Sequence, residues 1–409
     1  MPAIISKEQK IKVPELRFGE FTDGWKNTKL SELLKESKKR NGDLKYTKDD
    51  VLSVSGDVGV VNQVEHLGRS YAGKSVHNYH VVDTGDIVYT KSPLKANPYG
   101  VIKVNKGKTG IVSTLYAVYG VIENQAHGSF LDYYFSLDSN TNRYLRPLVK
   151  KGAKNDMKIN NAHVLQDKIY VPAIDEQRKI SSFLDVVIEY LSLLKKEKTS
   201  LENYKKDVVQ KIFSQKIRFQ DDNGKEFPEW SVVNGDEVFE NISNKNPQKD
   251  LPILAITQDQ GAVPRYLINY KVQVSEKGIA GYKVVRKGDF IISLRSFQGG
   301  IEYSEYDGLC SPAYIVLRSK IDVNTYFFKF LFKSPAYIGR LISKLEGIRD
   351  GKMISFKYFS EAKVQLPSIQ EQNKIADFLV SLDAMIESKE LQIRKVETWK
   401  RGLLQKLFI

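Results

Sequence analysis

One segment of this chain occurs twice. Pro172-Ala173-Ile174-Asp175-Glu176-Gln177-Arg178-Lys179-Ile180 returns as Pro367-Ser368-Ile369-Gln370-Glu371-Gln372-Asn373-Lys374-Ile375. The match continues without a gap to Lys211-Ile212-Phe213 against Lys406-Leu407-Phe408, a constant offset of 195 residues from Pro172 to Pro367. A duplicated chain folds with an approximate two-fold axis and suits a partner of similar symmetry, of which duplex DNA is the commonest. Charge agrees: 63 Lys and Arg against 49 Asp and Glu leave +14, the balance expected of a polyanion binder. At 409 residues and 41% apolar content the chain can supply two or more globular cores. Its single cysteine, Cys310, excludes an intramolecular disulfide framework and fits a small buried hydrophobe. Met1-Pro2-Ala3-Ile4-Ile5-Ser6-Lys7-Glu8 turns charged too early for a signal peptide, and no apolar run reaches membrane-spanning length. A cytoplasmic protein with no membrane partner is expected.

Ahead of each repeated segment the two halves correspond only in patches. Leu16-Arg17-Phe18 with Trp25 matches Ile217-Arg218-Phe219 with Trp230, and Ser55-Gly56-Asp57-Val58-Gly59 matches Thr257-Gln258-Asp259-Gln260-Gly261. Gly85-Asp86 matches Gly288-Asp289, and Gly110-Ile111-Val112-Ser113 matches Gly308-Leu309-Cys310-Ser311. Short β-branched and aromatic runs such as Ile87-Val88-Tyr89, Tyr116 to Ile122 and Tyr314 to Leu317 read as strands between turn residues. Helical patches follow around Phe130 to Leu148 and Tyr326 to Leu345. Each unit is therefore expected to be α+β.

The repeated segments read as long helices with a heptad seam. In the first, Ile180, Leu184, Val187, Leu191, Leu194, Lys198, Leu201, Lys205, Val208 and Ile212 alternate four and three apart; in the second, Ile375, Leu379, Leu382, Ile386, Lys389, Ile393, Val396, Lys400, Leu403 and Leu407 do the same. Ser368 to Glu371 predicts a capping box, with Glu371 reaching back to the start of its helix. The expected division is a first globular domain over 1–171 (ordered from about 15), a helix over 172–215, a second domain over 216–366 and a helix over 367–409.

Two variable α+β units, each followed by a near-identical helix opening with Pro-x-x-x-Glu-Gln-x-x-Ile, resemble the specificity subunit of a Type I restriction-modification enzyme. The Arg-Phe…Trp openings fit as well, and the likeness runs from about Val13 to Ile409. The resemblance implies two target recognition domains related by a pseudo-two-fold axis and separated by an antiparallel two-helix coiled coil, each reading one half of a split, asymmetric sequence in double-stranded DNA. It also implies docking of two methyltransferase subunits, which recruit the ATP-dependent motor and restriction subunits. S-adenosylmethionine, ATP and magnesium would then belong to those partners, with no cofactor on this chain. A stand-alone two-domain DNA-binding protein such as a repressor, using the coiled coil as a spacer, is the competing reading.

No catalytic or metal site is expected here. Gly68-Arg69-Ser70-Tyr71-Ala72-Gly73-Lys74-Ser75 satisfies the P-loop pattern, but strand-like residues follow it where a phosphate-cradling helix would have to begin. Asn97-Pro98-Tyr99 lacks one proline of the motif that holds a flipped adenine, and no glycine-rich turn for S-adenosylmethionine accompanies it. The five histidines show no metal-ligand spacing.

Base reading needs Arg, Lys, Asn or Gln on loops that a scaffold can push into the major groove. After Gly85-Asp86 come Lys91, Ser92, Lys95, Asn97 and Tyr99; after Gly288-Asp289 come Arg295, Ser296, Phe297 and Gln298. Lys154 and Asn155 before the first long helix, and Arg349 and Lys352 before the second, are candidate phosphate contacts. Gln258 and Arg265, with Asp57, Asn62, Gln63 and Gln260, form a third group on matched segments.

Overall fold

The structure, a computed structural model, describes residues 12–73, 75–93, 96–151, 157–246, 250–268, 281–293, 301–343 and 354–409. The chain divides into two compact units: the first runs to Leu194 and includes Gln392–Ile409, and the second is Lys195–Leu391. Each unit thus contains part of both long helices.

In the first repeat the elements are β1 (Lys26–Lys29), α1 (Leu30–Leu33), β2 (Leu34–Glu36), β3 (Leu52–Ser55), β4 (Gly59–Asn62), α2 (Gln63–Leu67), β5 (His80–Val82), β6 (Ile87–Thr90), β7 (Ile102–Val104), β8 (Gly110–Val112), β9 (Tyr116–Val121), α3 (Gly128–Ser136), α4 (Asp138–Leu145), β10 (Lys150–Lys151), β11 (Met157–Lys158), α5 (Asn161–Val164), β12 (Lys168–Val171) and α6 (Ile174–Phe213). The second repeat gives β13 (Ser231–Asn234), α7 (Gly235–Val238), β14 (Phe239–Ile242), β15 (Leu254–Thr257), β16 (Gly261–Pro264), β17 (Lys283–Val285), β18 (Phe290–Ile292), β19 (Glu302–Tyr303), β20 (Gly308–Cys310), β21 (Ile315–Ser319), α8 (Thr325–Lys333), α9 (Pro335–Ser343), α10 (Phe356–Ser360), β22 (Lys363–Leu366) and α11 (Ile369–Leu407). Four pairings recur with the same strands in the same places. A four-stranded antiparallel sheet of order β2-β9-β6-β7 answers β14-β21-β18-β19, and the pairs β1-β12, β3-β4 and β5-β8 answer β13-β22, β15-β16 and β17-β20.

The central strand explains the layering. Successive strand side chains point to opposite faces, so Ile87 and Tyr89 of β6 join the large core beneath α3 and α4, whereas Val88 joins Leu52, Val60, Val82, Val112 and Val118 on the other face. In β18, Phe290 and Ile292 enter the large core, while Ile291 joins Leu254, Ala262, Val285, Cys310 and Val316. Burial pushes the Cys310 thiol up to about 12, consistent with its expected place as a small buried hydrophobe. On α3 the buried residues are Phe130, Leu131, Tyr133, Tyr134 and Phe135; on α8 they are Phe327, Phe328, Phe330, Leu331 and Phe332, with identical spacing.

The ends of the long helices complete these cores. In the first unit Leu403, Leu404, Leu407 and Phe408 of the α11 segment belong to the core that holds Trp25 and Phe130, with Phe408 5.2 Å from Phe130 between ring centroids. In the second, Val208, Ile212 and Phe213 of α6 belong to the core with Trp230, and Phe213 lies 5.5 Å from Phe327. The helices run antiparallel in both units. In the second, Lys205 pairs with Asp383 and Lys198 with Glu390, so numbering falls along one helix as it rises along the other; in the first, Leu191 and Leu194 pack with Ile393, and Phe183 with Trp399.

Of the expected seam, Leu184, Val187, Leu191, Leu194, Leu379, Leu382 and Ile393 are buried, while Leu201, Ile386 and Val396 are half-buried. Of the polar seam positions Lys198, Lys205 and Lys389 are ion-paired, Lys389 with Glu197, and Lys205 also lies 5.0 Å above the Phe330 ring.

Candidate nucleic-acid interface

The repeated Glu-Gln dipeptide anchors each unit. Glu176, in the first turn of α6, accepts from Arg17 through both carboxylate oxygens at 2.8 and 2.7 Å and from the Trp25 indole at 3.3 Å. Glu371 accepts from Arg218 at 3.5 and 3.2 Å. Gln177 accepts from the His127 amide and donates to the carbonyls of Gln125 and Pro172; Gln372 accepts from the Asn324 amide and donates to Pro367. Both dipeptides are buried. The expected capping box is therefore corrected. Ser368 does accept from the Glu371 amide at 3.3 Å, but the Glu371 carboxylate turns to a guanidinium, a stronger partner than a helix-end amide.

On this frame each unit presents a three-residue hairpin turn. Gly56-Asp57-Val58 joins β3 to β4, and Gln258-Asp259-Gln260 joins β15 to β16; all six residues are exposed. The first turn borders a cavity of about 730 Å³ lined by Ser55, Asp57, His66, Asn97, Ser136 and Asp138 among others. Two of the candidate positions, Asp57 and Asn97, thus meet at one opening.

Other candidates have local work. Lys91 is half-buried and donates to the Asn161 side chain at 2.5 Å, and burial lowers its pKa. Asn97 is buried and donates to Asp138 at 2.8 Å. The Tyr99 carbonyl accepts from the Tyr89 hydroxyl, and its ring packs on the large core. Asn62 caps α2, accepting from the amides of Val64 and Glu65, while Gln63 bridges Ser53 and the Tyr71 amide. Ser92 and Gln258 are exposed, and Arg265 is half-buried with its amide bonded to the Ile253 carbonyl. Lys95, Lys154, Asn155, Arg295, Ser296, Phe297, Gln298, Arg349 and Lys352 lie outside the described residues.

The P-loop look-alike begins where α2 ends, at Gly68 in the left-handed region, and among the described residues no helix starts between Ser75 and β5, where a phosphate-cradling helix would begin. Its exposed Arg69 instead stacks 4.7 Å over the exposed Tyr71 ring. A cation on an aromatic suits a nucleic-acid surface. The signal for this pair in the sequence is the Arg-x-Tyr spacing of Arg69 and Tyr71. Among the described residues no three His, Cys, Asp or Glu side chains gather as a metal-binding group, and no helix is long and apolar enough to cross a membrane.

Two copies of one sheet-and-helix frame, with different residues on matched exposed turns, define a duplicated α+β protein with two long helices. The profile of the family described as the Type I restriction modification DNA specificity domain matches residues 22–203 and again 228–398. The chain belongs to this family. A putative type I restriction enzyme MjaX specificity subunit from Methanocaldococcus jannaschii is 23% identical over 98% of this chain and 96% of its own length. The MjaVIII specificity subunit of the same organism is 25% identical over 59% of this chain and 61% of its own. Among solved structures, the S subunit of a Type I restriction-modification system from M. genitalium aligns with a TM-score of 0.57 at 15% identity, covering 97% of this chain and 99% of that one. A chain from a structure of type I restriction-modification complex assembly and conformational transition gives 0.53 at 18%, covering 95% and 98%. At these identities the structural likeness concerns the fold.

Proposed function

We propose that this chain is the non-catalytic reading subunit of a cytoplasmic Type I restriction-modification enzyme that methylates adenine at N6. Its first and second α+β domains, over about 15–171 and 216–366, each read one half of an asymmetric bipartite site in double-stranded DNA. Two methyltransferase subunits dock on it and carry the restriction subunits; S-adenosylmethionine, ATP and magnesium act on those partners. The observation that carries this reading is the pairing of one backbone frame with unlike exposed turns, Gly56-Asp57-Val58 against Gln258-Asp259-Gln260. A shared frame supplies equal placement against DNA, and unlike side chains supply different base preferences. Against a repressor-like protein that uses its helices only as a spacer stand outward apolar residues at matched repeat positions: Tyr190 with Met385, and Tyr204 with Trp399, each about half exposed. Such pairs suit two copies of one partner. Mapping methylated adenines in cells with and without this gene tests the reading: a bipartite motif should vanish with the gene, and an unchanged methylation pattern would overturn it.

A further inference from the structure

The two reading turns are supported differently. In the second unit, Lys333 at the end of α8 donates to the Gln258 carbonyl at 3.2 Å and pairs with the Glu302 carboxylate of β19. The turn is also pressed against that strand. Gly261, at φ +72°, lies so close that a Cβ there would meet the Tyr303 carbonyl oxygen at 2.5 Å, and Ala262 bridges to Ser304. Inside the turn Thr257 Oγ1 donates to the Gly261 carbonyl and accepts from the Gln260 amide.

In the first unit, among the described residues, the matching elements leave this space open. The common spacing of buried residues on α3 and α8 aligns Ser136 with Lys333, and Ser136 lines the cavity of about 730 Å³ beside the first turn. Gly59, the counterpart of Gly261, has φ +80° but, among the described residues, nothing within 4 Å of a would-be Cβ. Its turn is held by Ser55 Oγ, which accepts from the Asp57 and Val58 amides at 3.2 and 3.5 Å.

We propose that Lys333 is a specificity-positioning residue: with Glu302 it fixes Gln258-Asp259-Gln260 at one height above the second unit, whereas the first unit's turn, over its cavity, adjusts to the DNA it meets. The inference rests on the reading of both units as DNA readers. A side chain pinned within a fraction of an ångström of its hydrogen-bonding position discriminates bases better than one on a compliant turn, so loss of the tether relaxes specificity without abolishing binding.

The test uses the full chain assembled with its methyltransferase subunits, on a DNA library randomised in both half-sites. Lys333→Met should lower base discrimination about tenfold at positions of the second half-site, roughly one good bidentate contact. Preferences in the first half-site and affinity for non-specific DNA should stay unchanged, and Lys333→Arg should restore discrimination. Amide exchange on the same variant, without DNA, should quicken at Gln258–Gly261 but not at Gly56–Gly59. Retained discrimination with unchanged exchange overturns the inference, as does equal loss in both half-sites, which would mark a general loss of stability. If the wild-type complex shows no sequence preference, the DNA-reading function fails, while exchange still decides whether Lys333 holds the turn.

Discussion

The contact between the sheet and the first helix behind it carries opposite charges in the two units. On β7, Lys103 faces Asp132 of α3 at 3.9 Å, and just after the strand Lys106 reaches the Tyr133 hydroxyl and Asp185. In the second unit the aligned residues carry the reverse charges, Glu302 for Lys103, Glu305 for Lys106 and Lys329 for Asp132; Glu305 pairs with Lys329 at 2.9 Å, while Glu302 pairs with Lys333, the counterpart of Ser136. The strand register nevertheless stays the same: Val88 opposes Lys103 as Ile291 opposes Glu302. The frame is therefore set by the two apolar layers around β6 and β18, and the ion pairs on it are exchangeable. Net ion-pair contributions are small beside the area those layers bury. This freedom lets duplicated units diverge at the surface while keeping one backbone.

The largest test of this comparison is truncation. A fragment of residues 1–215 lacks Leu403, Leu404, Leu407 and Phe408, which complete the first core. The repeat offers Val208, Ile212 and Phe213 of a second copy as substitutes, so the fragment should be an obligate dimer by light scattering. A folded monomer would show that helix ends are dispensable to the core. Next in size, Phe408→Ala and Phe213→Ala should each cost ~3–5 kcal/mol, the usual loss for a buried aromatic. Hydrogen exchange should rise in 12–194 for Phe408→Ala and in 195–391 for Phe213→Ala; the reverse pattern would contradict the core assignments.

The Glu-Gln anchors give a smaller contrast. Glu176→Gln and Glu371→Gln each weaken a buried contact to arginine, costing ~1–3 kcal/mol. The first should lose more in denaturant titration, because Glu176 also holds Trp25, whereas the Trp230 indole nitrogen has no hydrogen-bond partner among the described residues. Equal losses would mean that the tryptophan contact adds nothing.

Smallest is a pH effect confined to the second unit. Burial, outweighing the Lys333 contact and helped by Asp259, raises the Glu302 carboxyl from 4.5 to about 7. Between those values the folded chain holds a proton that the unfolded chain has released, so Glu302 makes stability fall as pH rises from 4.5 towards 7. Glu302→Gln should remove that slope, on the order of 1–2 kcal/mol after allowance for the part-exposed lysine. An unaltered slope would place the titration elsewhere.

Much of the architecture was legible in the chain. Duplication at constant offset, the heptads and the alternating β-branched runs give two α+β units and two long helices, because apolar periodicity is a local property. The Arg-Phe…Trp openings and the Glu-Gln dipeptides were visible as patterns, but their roles were not: the Arg17–Glu176 contact spans a sequence separation of 159 residues. The same limit applies to the candidate readers. Polar loop composition could not distinguish Lys91 and Asn97, which turn inward to Asn161 and Asp138, from Gln258 and Asp57, which remain exposed.

The sequence by itself determined the duplication, the element types and the basic character that suits DNA. Tertiary structure alone decided that each core is closed by the far end of the other repeat's helix, that Glu371 serves an arginine rather than a cap, and that Lys333 stands beneath one turn where Ser136 leaves a cavity beneath the other. Periodicity fixes which face of an element is buried. Which distant groups meet there depends on how the chain closes on itself, and a polar group taken from water goes to the strongest partner which that closure brings within reach.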